Sequence, residues 1–350
     1  MTEEALKKWP DLITNLESGL NLDEDNAEAV LVSVLRGEFS DSELSDFLTA
    51  LSRKGETINE ITGFVRAMRS SCVRINCPPG TIDLVGAGGS AMGSKAALNV
   101  STIASFVAAG AGAKVCKHGN LKASSTSGSF DLLEELSVET RLGAKKVEKC
   151  VNDIGIGFAF ARIFHPAMRF AGPVRAQLGI PTIFNILGPL SHPGFLLRQV
   201  VGVPSVDRGI QMAQVLQKTG TEFAMVVTGN QGLDELSVTG PNTIHSVTPE
   251  KIVTKELLPE DVGLKLAEPK DLFGGTPSDN ARIAFNVLEG EQGPKSDIIL
   301  LNAAAGLVVA GIAEDLVDGI ERSRASILSG AAKKCLSQLV SLSKELGKDE

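Results

Sequence analysis

The sequence predicts an α/β protein, with a small all-helical domain followed by a larger α/β domain that has a mostly parallel central sheet. Three observations lead to this prediction. Apolar residues recur at helical spacing through about the first seventy residues. From about Thr81, short apolar strands alternate with helical stretches, a pattern typical of parallel sheets. Over residues 278–345 the apolar spacing is helical again.

The N-terminal helical segment contains two start signals. A capping box, in which a hydroxyl and a carboxylate three residues apart satisfy free backbone N–H groups, is predicted for Ser40 with Glu43 and for Thr57 with Glu60. Gly55 stands where the first of these helices should end. Because a helical unit of about seventy residues buries little core of its own, we expect it to pack on another part of the chain.

The central part of the chain is predicted to form the sheet. Five apolar segments are predicted as strands, over residues 82–85, 114–117, 157–161, 199–203 and 223–228. A helical stretch bracketed by prolines, residues 165–179, lies between two of them. His165 and His192 each precede a proline, which is typical of turn or cap residues. His245 lies in a polar strand.

The composition argues against several function classes. The chain has 34 Lys and Arg against 42 Asp and Glu, a net charge of −8, with one Trp and no Tyr. Such a chain offers neither the clustered cations nor the stacking rings that a nucleic-acid-binding surface needs. Five cysteines without a CxxC pair predict free thiols in a reducing compartment. With no visible signal peptide and no apolar run long enough for a membrane span, we expect a cytoplasmic protein.

One region differs from the rest of this acidic chain because it contains no acids. Between Asp83 and Asp131 there is no Asp or Glu, where the chain's own frequency would give roughly five or six. The same span is rich in Gly, Ser, Thr and Asn, and it contains Lys95, Lys117 and His118. A cationic, donor-rich segment suits an anion with several oxygens. The alternative is that buried α/β segments lack acids in general.

A glycine-rich turn from Gly86 to Ser90 follows the first predicted strand and precedes a helix that begins near Asn99. Glycines allow a ligand to approach the backbone closely, and a helix N-terminus favours phosphate. As a dinucleotide fingerprint the turn lacks the downstream acid, and as a P-loop it has its Ser and Lys in the wrong order. A second strand and loop, from Lys117 to the serine-rich residues 124–129, predict a neighbouring anion site at the same edge of the sheet.

These motifs together resemble those of the anthranilate phosphoribosyltransferase family of tryptophan biosynthesis. The family segments have the counterparts GAGGS (86–90), NVST (99–102), KHGNL (117–121), SSTSGSFD (124–131) and LDELS (233–237). Longer segments over residues 165–190, 271–281 and 297–307 also resemble the family, and the resemblance covers about residues 10–340. Several motifs in the correct order are far more specific than any one of them.

The resemblance implies a fold, a reaction and a cofactor. It implies a helical domain over residues 1–75, with residues 165–190 packed back on it, and an α/β domain over residues 76–164 and 191–350. The implied enzyme, a glycosyltransferase, moves the phosphoribosyl group of 5-phosphoribosyl 1-pyrophosphate to the amine of anthranilate, with Mg²⁺ as cofactor and pyrophosphate released. It also implies a homodimer formed through the helical domain. Positioning and electrostatics are expected to carry the rate, without a catalytic acid or base.

The resemblance also assigns roles to individual residues. The phosphoribosyl pyrophosphate site is implied to contain Gly86, Gly89, Ser90, Asn99, Ser101, Thr102, Lys117, Ser125 and Ser129. The anthranilate site is implied to contain Gly86, His118, Asn120 and Arg175. The metal ligands are implied to be Ser101, Asp234 and Glu235. Taken alone, adjacent acids are typical of a solvated turn, an arginine near a helix C-terminus is typical of an exposed charge, and His118 is equally consistent with a structural imidazole.

The sequence departs from the family pattern inside the phosphate-binding motifs. The family's Thr, Asp, Arg and Lys are replaced by Ala87, Ser90, Leu121 and Thr126, and three extra residues lengthen the loop before Asn99. The loss of one carboxylate and two cations predicts altered binding of phosphoribosyl pyrophosphate and Mg²⁺. Lys95 and Lys122 are the nearby cations that could replace those lost.

Two other functions stay open on the sequence alone. A relative with the same fold could act on another aromatic or a pyrimidine, although Asn120 and Arg175 favour anthranilate. A non-catalytic paralogue that binds a protein or nucleic acid is the second alternative. The altered glycine loop favours it, while the acidic charge opposes nucleic acid.

Overall fold

Four helices form the N-terminal part of the computed structural model, which describes residues 9–88, 98–122 and 126–348. They are α1 (Trp9–Glu17), α2 (Glu24–Arg36), α3 (Asp41–Lys54) and α4 (Ile58–Ser70). Both predicted capping boxes are confirmed, because the side chains of Ser40 and Thr57 accept hydrogen bonds from the backbone N–H groups of Glu43 and Glu60. Gly55 ends α3 with a φ of +83°, as predicted.

Within the described ranges, the sheet has seven strands in the order β3-β2-β1-β4-β5-β6-β7. The first five pair in parallel: β1 (Ile82–Gly86), β2 (Val115–Gly119), β3 (Ile156–Phe160), β4 (Arg198–Gly202) and β5 (Phe223–Thr228). All five lie within about two residues of the predicted ranges. The antiparallel pair β6 (Asn242–Val247) and β7 (Ile252–Leu257) completes one edge, and of it only the strand containing His245 was predicted. The predicted fold class, a small helical domain with a larger α/β domain, is confirmed.

Helices cover both faces of the sheet. Between the first strands lie α5 (Val100–Gly110), α6 (Ser129–Glu135) and α7 (Ala144–Ile154), and α11 (Val206–Lys218) joins β4 to β5. The predicted C-terminal helical region is confirmed as α12 (Pro277–Leu288), α13 (Pro294–Val309), α14 (Leu316–Leu328) and α15 (Ala331–Gly347). None of the helices in the described ranges has both the length and the apolarity needed to cross a bilayer.

The segment between β3 and β4 leaves the sheet and packs on the N-terminal helices. It contains α8 (Ala161–Phe164), a 3₁₀ turn (Pro166–Arg169), α9 (Gly172–Leu178) and α10 (Phe184–Leu190). The single helical stretch predicted over residues 165–179 is therefore wrong in detail. The chain breaks at Phe170 and Ala171 between the 3₁₀ turn and α9, and Gly179 ends α9 in a left-handed conformation with a φ of +62°.

Two apolar cores lie on opposite faces of the sheet. One contains α5, α7 and the C-terminal helices, and it takes Val200 from β4. The other contains the N-terminal helices, α9, α10 and α11, and it takes the next residue of β4, Val201. Since successive strand side chains point to opposite faces, the sheet divides the two cores. The N-terminal helices therefore share their core with β4, β5 and α11.

Candidate active site

The described residues predicted for the site lie mainly toward the carboxyl ends of β1, β2 and β5 and at the starts of α5 and α6. Strand β1 lies between β2 and β4. The chain adds β2 and β3 on one side of β1 and then crosses to add β4 and β5 on the other side. Such a switch point opens a crevice at the carboxyl edge of a parallel sheet, where ligands bind in α/β proteins. The glycine-rich turn after β1 enters this crevice at Gly86.

The loop after β5 places Asp234 against two glycines. Gly86 and Gly202 are register partners at the ends of β1 and β4. A Cβ added at Gly202 would overlap the Asp234 backbone, and one at Gly86 would overlap the Asp234 carboxylate. The Asp234 carboxylate accepts a hydrogen bond from the Gly88 backbone N–H at 2.7 Å. Glycine at both strand ends is therefore what lets the acidic loop reach the glycine-rich turn.

Glu235 connects the acidic loop to the start of α5. Its carboxylate accepts from the Ser101 backbone N–H at 3.3 Å and is also hydrogen-bonded by the Ser101 side chain. Burial, followed by the charge of Asp234, raises the pKa of Glu235 to about 8, and burial raises the pKa of Asp234. The interpretation of these adjacent acids as a solvated turn is not what the structure describes.

The acidic pair with Ser101 fits a magnesium ion. Two carboxylates and a hydroxyl are hard oxygen ligands, and Mg²⁺ is normally held by one or two carboxylates together with substrate phosphates. Within the described ranges, no group of three or more His, Cys, Asp or Glu side chains could hold a metal. Two close carboxylates that burial pushes toward their neutral forms would regain their charge beside a cation.

Lys117 lies in the middle of β2 and is only 3% exposed. Its ammonium group donates to the Leu84 carbonyl of β1. Burial lowers the Lys117 pKa, and the charges of Asp83, Glu235 and Asp234 act in the opposite direction. The structure thus brings the predicted cation close to the predicted metal ligands.

Asn99 is a predicted phosphoribosyl pyrophosphate residue that opens α5 without capping it. Its side chain instead accepts from the Ser127 hydroxyl and from the Asn280 amide, both at 2.8 Å. Thr102, one turn further along α5, is buried. These hydrogen bonds connect the start of α5 to the loop after β2 and to α12.

The loop after β2 holds Asn120 and Ser129. Asn120 is exposed; its side-chain oxygen accepts from the Leu121 N–H at 2.9 Å, and its backbone carbonyl accepts from the Ser129 hydroxyl at 3.2 Å. Leu121, where the family has Arg, packs against the core. The hydroxyl of Thr126, where the family has Lys, is buried without a partner in the described part of the chain.

Some predicted residues lie outside the described residues. They are Gly89, Ser90, Lys95 and Ser125, and the lengthened loop before Asn99 belongs with them. Lys122 is described and exposed, and its backbone N–H donates to Asp131 at 2.7 Å.

Three buried histidines meet beside the end of β2. The ring of His118 lies 5.1 Å from the ring of His165 and 5.7 Å from that of His192, centroid to centroid. Burial lowers the pKa of His118 well below its ordinary value, that of His165 to about 4 and that of His192 to about 3. All three imidazoles are therefore neutral at physiological pH.

The contacts of the histidines differ. His192 behaves as predicted for a turn residue, because its Nδ1 accepts from the Gly194 N–H and its Nε2 bonds the Cys116 carbonyl, both at 2.8 Å. His165 lies between α8 and the 3₁₀ turn, but its side chain caps neither. In the described part of the chain, the Nε2 atoms of His118 and His165 are buried without a partner.

Arg175, predicted for the substrate carboxylate, lies on α9. Its guanidinium is half-buried and stacks over the Phe184 ring of α10 at 5.3 Å. Within the described ranges it makes no ion pair or side-chain hydrogen bond, and burial lowers its pKa. The alternative of a freely exposed charge is therefore wrong, whereas a cation that awaits an anionic partner fits.

Sequence analysis missed three residues of this site. Asp83 is fully buried and accepts from the His118 N–H at 3.1 Å. An acid inside an apolar strand, at the border of the acid-free span, was the signal that could have found it. His165 and Asn280 reach the site only through tertiary packing, and no local pattern marks them.

Comparisons with known proteins agree with this geometry. A model of the α/β domain of a glycosyl transferase family matches residues 79–333, and a model of its helical bundle domain matches residues 10–72. The fold and the site thus define the chain as a glycosyl transferase with an N-terminal helical bundle.

Named relatives refine this class. The chain is 43% identical to an anthranilate phosphoribosyltransferase of Rubrobacter xylanophilus over 99% of this chain and 98% of the relative. A crystal structure of that enzyme from Thermus thermophilus matches with a TM-score of 0.89 and 39% identity, covering 95% of this chain and 99% of the other. The Saccharomyces cerevisiae enzyme in complex with PRPP and Mg matches with a TM-score of 0.88 and 29% identity, covering 99% of both. The chain belongs to the anthranilate phosphoribosyltransferase family, as predicted.

Proposed function

We propose that this protein transfers the phosphoribosyl group of 5-phosphoribosyl 1-pyrophosphate to the amine of anthranilate and releases pyrophosphate, as a step of tryptophan biosynthesis. The observation that carries the proposal is the set of charges at the sheet edge, where the half-buried Asp234 and Glu235 approach the buried Lys117. A bound metal ion and a lysine suit an anionic leaving group, and neutral imidazoles with one arginine suit an aromatic nucleophile that carries a carboxylate.

The sheet-edge half of the site would hold the pyrophosphate. Asp234, Glu235 and Ser101 supply oxygen ligands for Mg²⁺, which when bound stabilises the negative charge that builds on the leaving oxygens. Lys117 faces the same charge from β2. Asn99, Thr102, Ser129 and the N-terminus of α5 supply neutral donors. Gly89, Ser90 and Ser125 are proposed for the same site on the resemblance alone.

The acceptor half would hold anthranilate. Arg175 supplies a cation for the carboxylate, and charge-assisted pairs of this kind are stronger than neutral hydrogen bonds. His118 and His165 present neutral rings whose Nε2 atoms have no partner in the described part of the chain, and Asn120 lies on the loop after β2. As the amine nitrogen attacks C1, the C1–O bond breaks, its electron pair leaves with pyrophosphate, and the nitrogen releases one proton to solvent. Placing the nitrogen and C1 in contact supplies much of the rate.

The proposal includes two larger-scale features. Residues 1–75 and 165–190 act as the helical domain, and the homodimer forms through it. The packing of α9 and α10 on the N-terminal helices supports the first feature. Analytical ultracentrifugation tests the second: we expect a dimer, which should become a monomer when exposed apolar residues of the helical domain, such as Leu20, are replaced by charged ones.

The direct test is the loss of anthranilate fluorescence in a mixture of purified protein, anthranilate, phosphoribosyl pyrophosphate and Mg²⁺. We expect loss only when all three small molecules are present, and release of one pyrophosphate for each anthranilate consumed. A folded protein that binds anthranilate but leaves its fluorescence unchanged would contradict the proposal. Turnover with another aromatic amine or a pyrimidine, in the same pyrophosphate assay, would support the related enzyme instead.

A further inference from the structure

The ladder between β1 and β2 is interrupted at the edge that carries the site. Strand β1 pairs in register with β4 from Ile82 to Gly86, whereas its register with β2 is limited to Ile82 opposite Val115. Beyond that point, side chains replace the ladder. The Asp83 carboxylate accepts from the His118 N–H of β2, and the Lys117 ammonium donates to the Leu84 carbonyl of β1.

These two side chains, one acidic and one basic, are both buried beside the gap between β1 and β2. Asp83 is 0% and Lys117 is 3% exposed. The second carboxylate oxygen of Asp83 is buried without a hydrogen-bond partner in the described part of the chain. Asp83 also acts more strongly than Glu235 or Asp234 in raising the pKa of Lys117, against the lowering effect of burial. A buried carboxylate is costly, so its place beside Lys117 and His118 calls for an explanation.

We propose that Asp83 is a positioning residue for phosphoribosyl transfer: its charge holds the Lys117 ammonium at the pyrophosphate half of the site, and its acceptor oxygen holds the His118 backbone at the acceptor half. The inference rests on the proposed function, because it assigns pyrophosphate to Lys117 and anthranilate to His118. In this proposal Asp83 touches neither substrate. It acts through Lys117 and His118, which lie across the gap on β2.

The two roles separate in two variants. Asp83→Asn keeps an oxygen for the His118 N–H and removes the charge, so the Kd of pyrophosphate with Mg²⁺ should rise about tenfold or more while the KM of anthranilate changes less than threefold. Asp83→Val has similar volume but no acceptor, so it should raise both constants. Ser326→Ala is the matched control, since it removes a different buried hydrogen bond, to the Val107 carbonyl, and should change neither constant.

A double-mutant cycle separates positioning from general destabilisation. In a Lys117→Met background, Asp83→Asn should have no further effect on pyrophosphate affinity, measured by calorimetry. This comparison uses only Lys117→Met and the double variant, so it holds even if Asp83→Asn alone fails to fold. An unchanged affinity in Asp83→Asn, or an equal loss with and without Lys117, would overturn the inference. If the unaltered protein bound no pyrophosphate with Mg²⁺, the proposed function would fail first and the inference with it.

Discussion

The two halves of the candidate site differ in the kind of side chain that forms them: charged groups in one, and mainly neutral rings in the other. The pyrophosphate half lies at the sheet edge and concentrates charge, with Asp83 and Lys117 buried and Asp234 and Glu235 half-buried. The acceptor half lies at the end of β2 and on the excursion, the segment between β3 and β4 (residues 161–197). Its three imidazoles are neutral, and Arg175 is the one cation we assign to it. The first half is arranged for a metal and a polyanion, and the second for a flat ring with one carboxylate.

Burial has different consequences for the ionisable groups of the two halves, because it shifts the pKa of carboxylates upward and that of imidazoles downward. At the sheet edge, burial raises the pKa of Asp83 to about 7 and of Glu235 to about 8, which makes these carboxylates ready to respond to a nearby cation. Beside His118, burial keeps the imidazoles uncharged over the whole physiological range. Selective variants should therefore damage one half without the other.

The largest effect is expected from neutralising the acidic pair. Asp234→Asn with Glu235→Gln removes both carboxylates proposed for Mg²⁺, so turnover should fall more than about a hundredfold and lose its response to Mg²⁺. A Mg²⁺ titration of anthranilate fluorescence loss measures this. The matched control is Glu134→Gln with Glu135→Gln, an exposed adjacent pair. An unchanged Mg²⁺ titration in the first variant would break the assignment of charge to the sheet edge.

The next effect concerns the acceptor half. Arg175→Ala removes the cation proposed for the anthranilate carboxylate, and the KM of anthranilate should rise about ten- to a hundredfold, the equivalent of one charge-assisted hydrogen bond. The KM of phosphoribosyl pyrophosphate should stay within about threefold, since Arg175 lies outside that half. Arg169→Ala is the control, because Arg169 stacks on Phe170 in the same excursion. Equal rises in both constants would contradict the division.

A smaller effect should appear in stability against pH. The folded-state pKa of His192, about 3, lies below its unfolded value, so its contribution to stability is complete above about pH 6.5 and is lost as pH falls toward 3. His192→Asn keeps an acceptor for the Gly194 N–H but does not titrate. The difference in unfolding free energy between the two proteins should therefore shrink by up to about 1.4 kcal/mol per pH unit below pH 6.5.

Urea unfolding at several pH values between 5 and 7.5 measures this difference. Asp83 and Glu235, whose pKa values are raised, change stability in the opposite direction, favouring the folded state at low pH and losing that contribution as pH rises through about 7 and 8. Both proteins contain them, so their effect cancels. A difference that stays constant with pH would mean that His192 is not kept neutral by burial.

The smallest effect is expected far from either half. Ser40→Ala removes the side-chain cap of α3 and should lower the unfolding free energy by about 1 kcal/mol, with both KM values unchanged. A chemical denaturation curve and the fluorescence assay check the two statements. A changed KM in this variant would show that the stability of the helical region affects the site. Changes in KM could then not be assigned to one half of the site alone.

Local patterns predicted the parts of the fold that depend on local chemistry. The capping boxes at Ser40 and Thr57 and the five parallel strands follow from short-range preferences and apolar runs, and all are present. The antiparallel β6–β7 edge was only partly predicted, because β6 is largely polar although mostly buried, and β7 is largely exposed; neither strand has a strong apolar alternation. The single helix predicted over residues 165–179 misses the break at Phe170 and Ala171, which no local pattern marks, whereas the end near Gly179 agrees with the prediction.

The order of the motifs along the chain predicted much of the candidate site. Residues that reach the site only through tertiary packing were not predicted. The glycine turn, Lys117 and the acidic pair converge as expected, since the carboxyl ends of parallel strands share one edge. Asp83 was not predicted because its role depends on a contact with His118 across the gap between β1 and β2. No spacing of residues along the chain indicates such a contact. His165 was interpreted as a cap for the same reason, as its partner His118 belongs to a different strand unit.

The core shared by the N-terminal helices with β4, β5 and α11 has a consequence for folding. Apolar side chains such as Val30 and Phe64 in the helices, and Val201 and Val226 in the sheet, are withdrawn from water by the same packing. Local unfolding of one side would expose the other, so slow amide hydrogen exchange in α2 and α4 should proceed through the same opening as in β4 and β5. The two regions would then behave as one cooperative unit, and a fragment that ends after α4 would lose the surface against which its helices order.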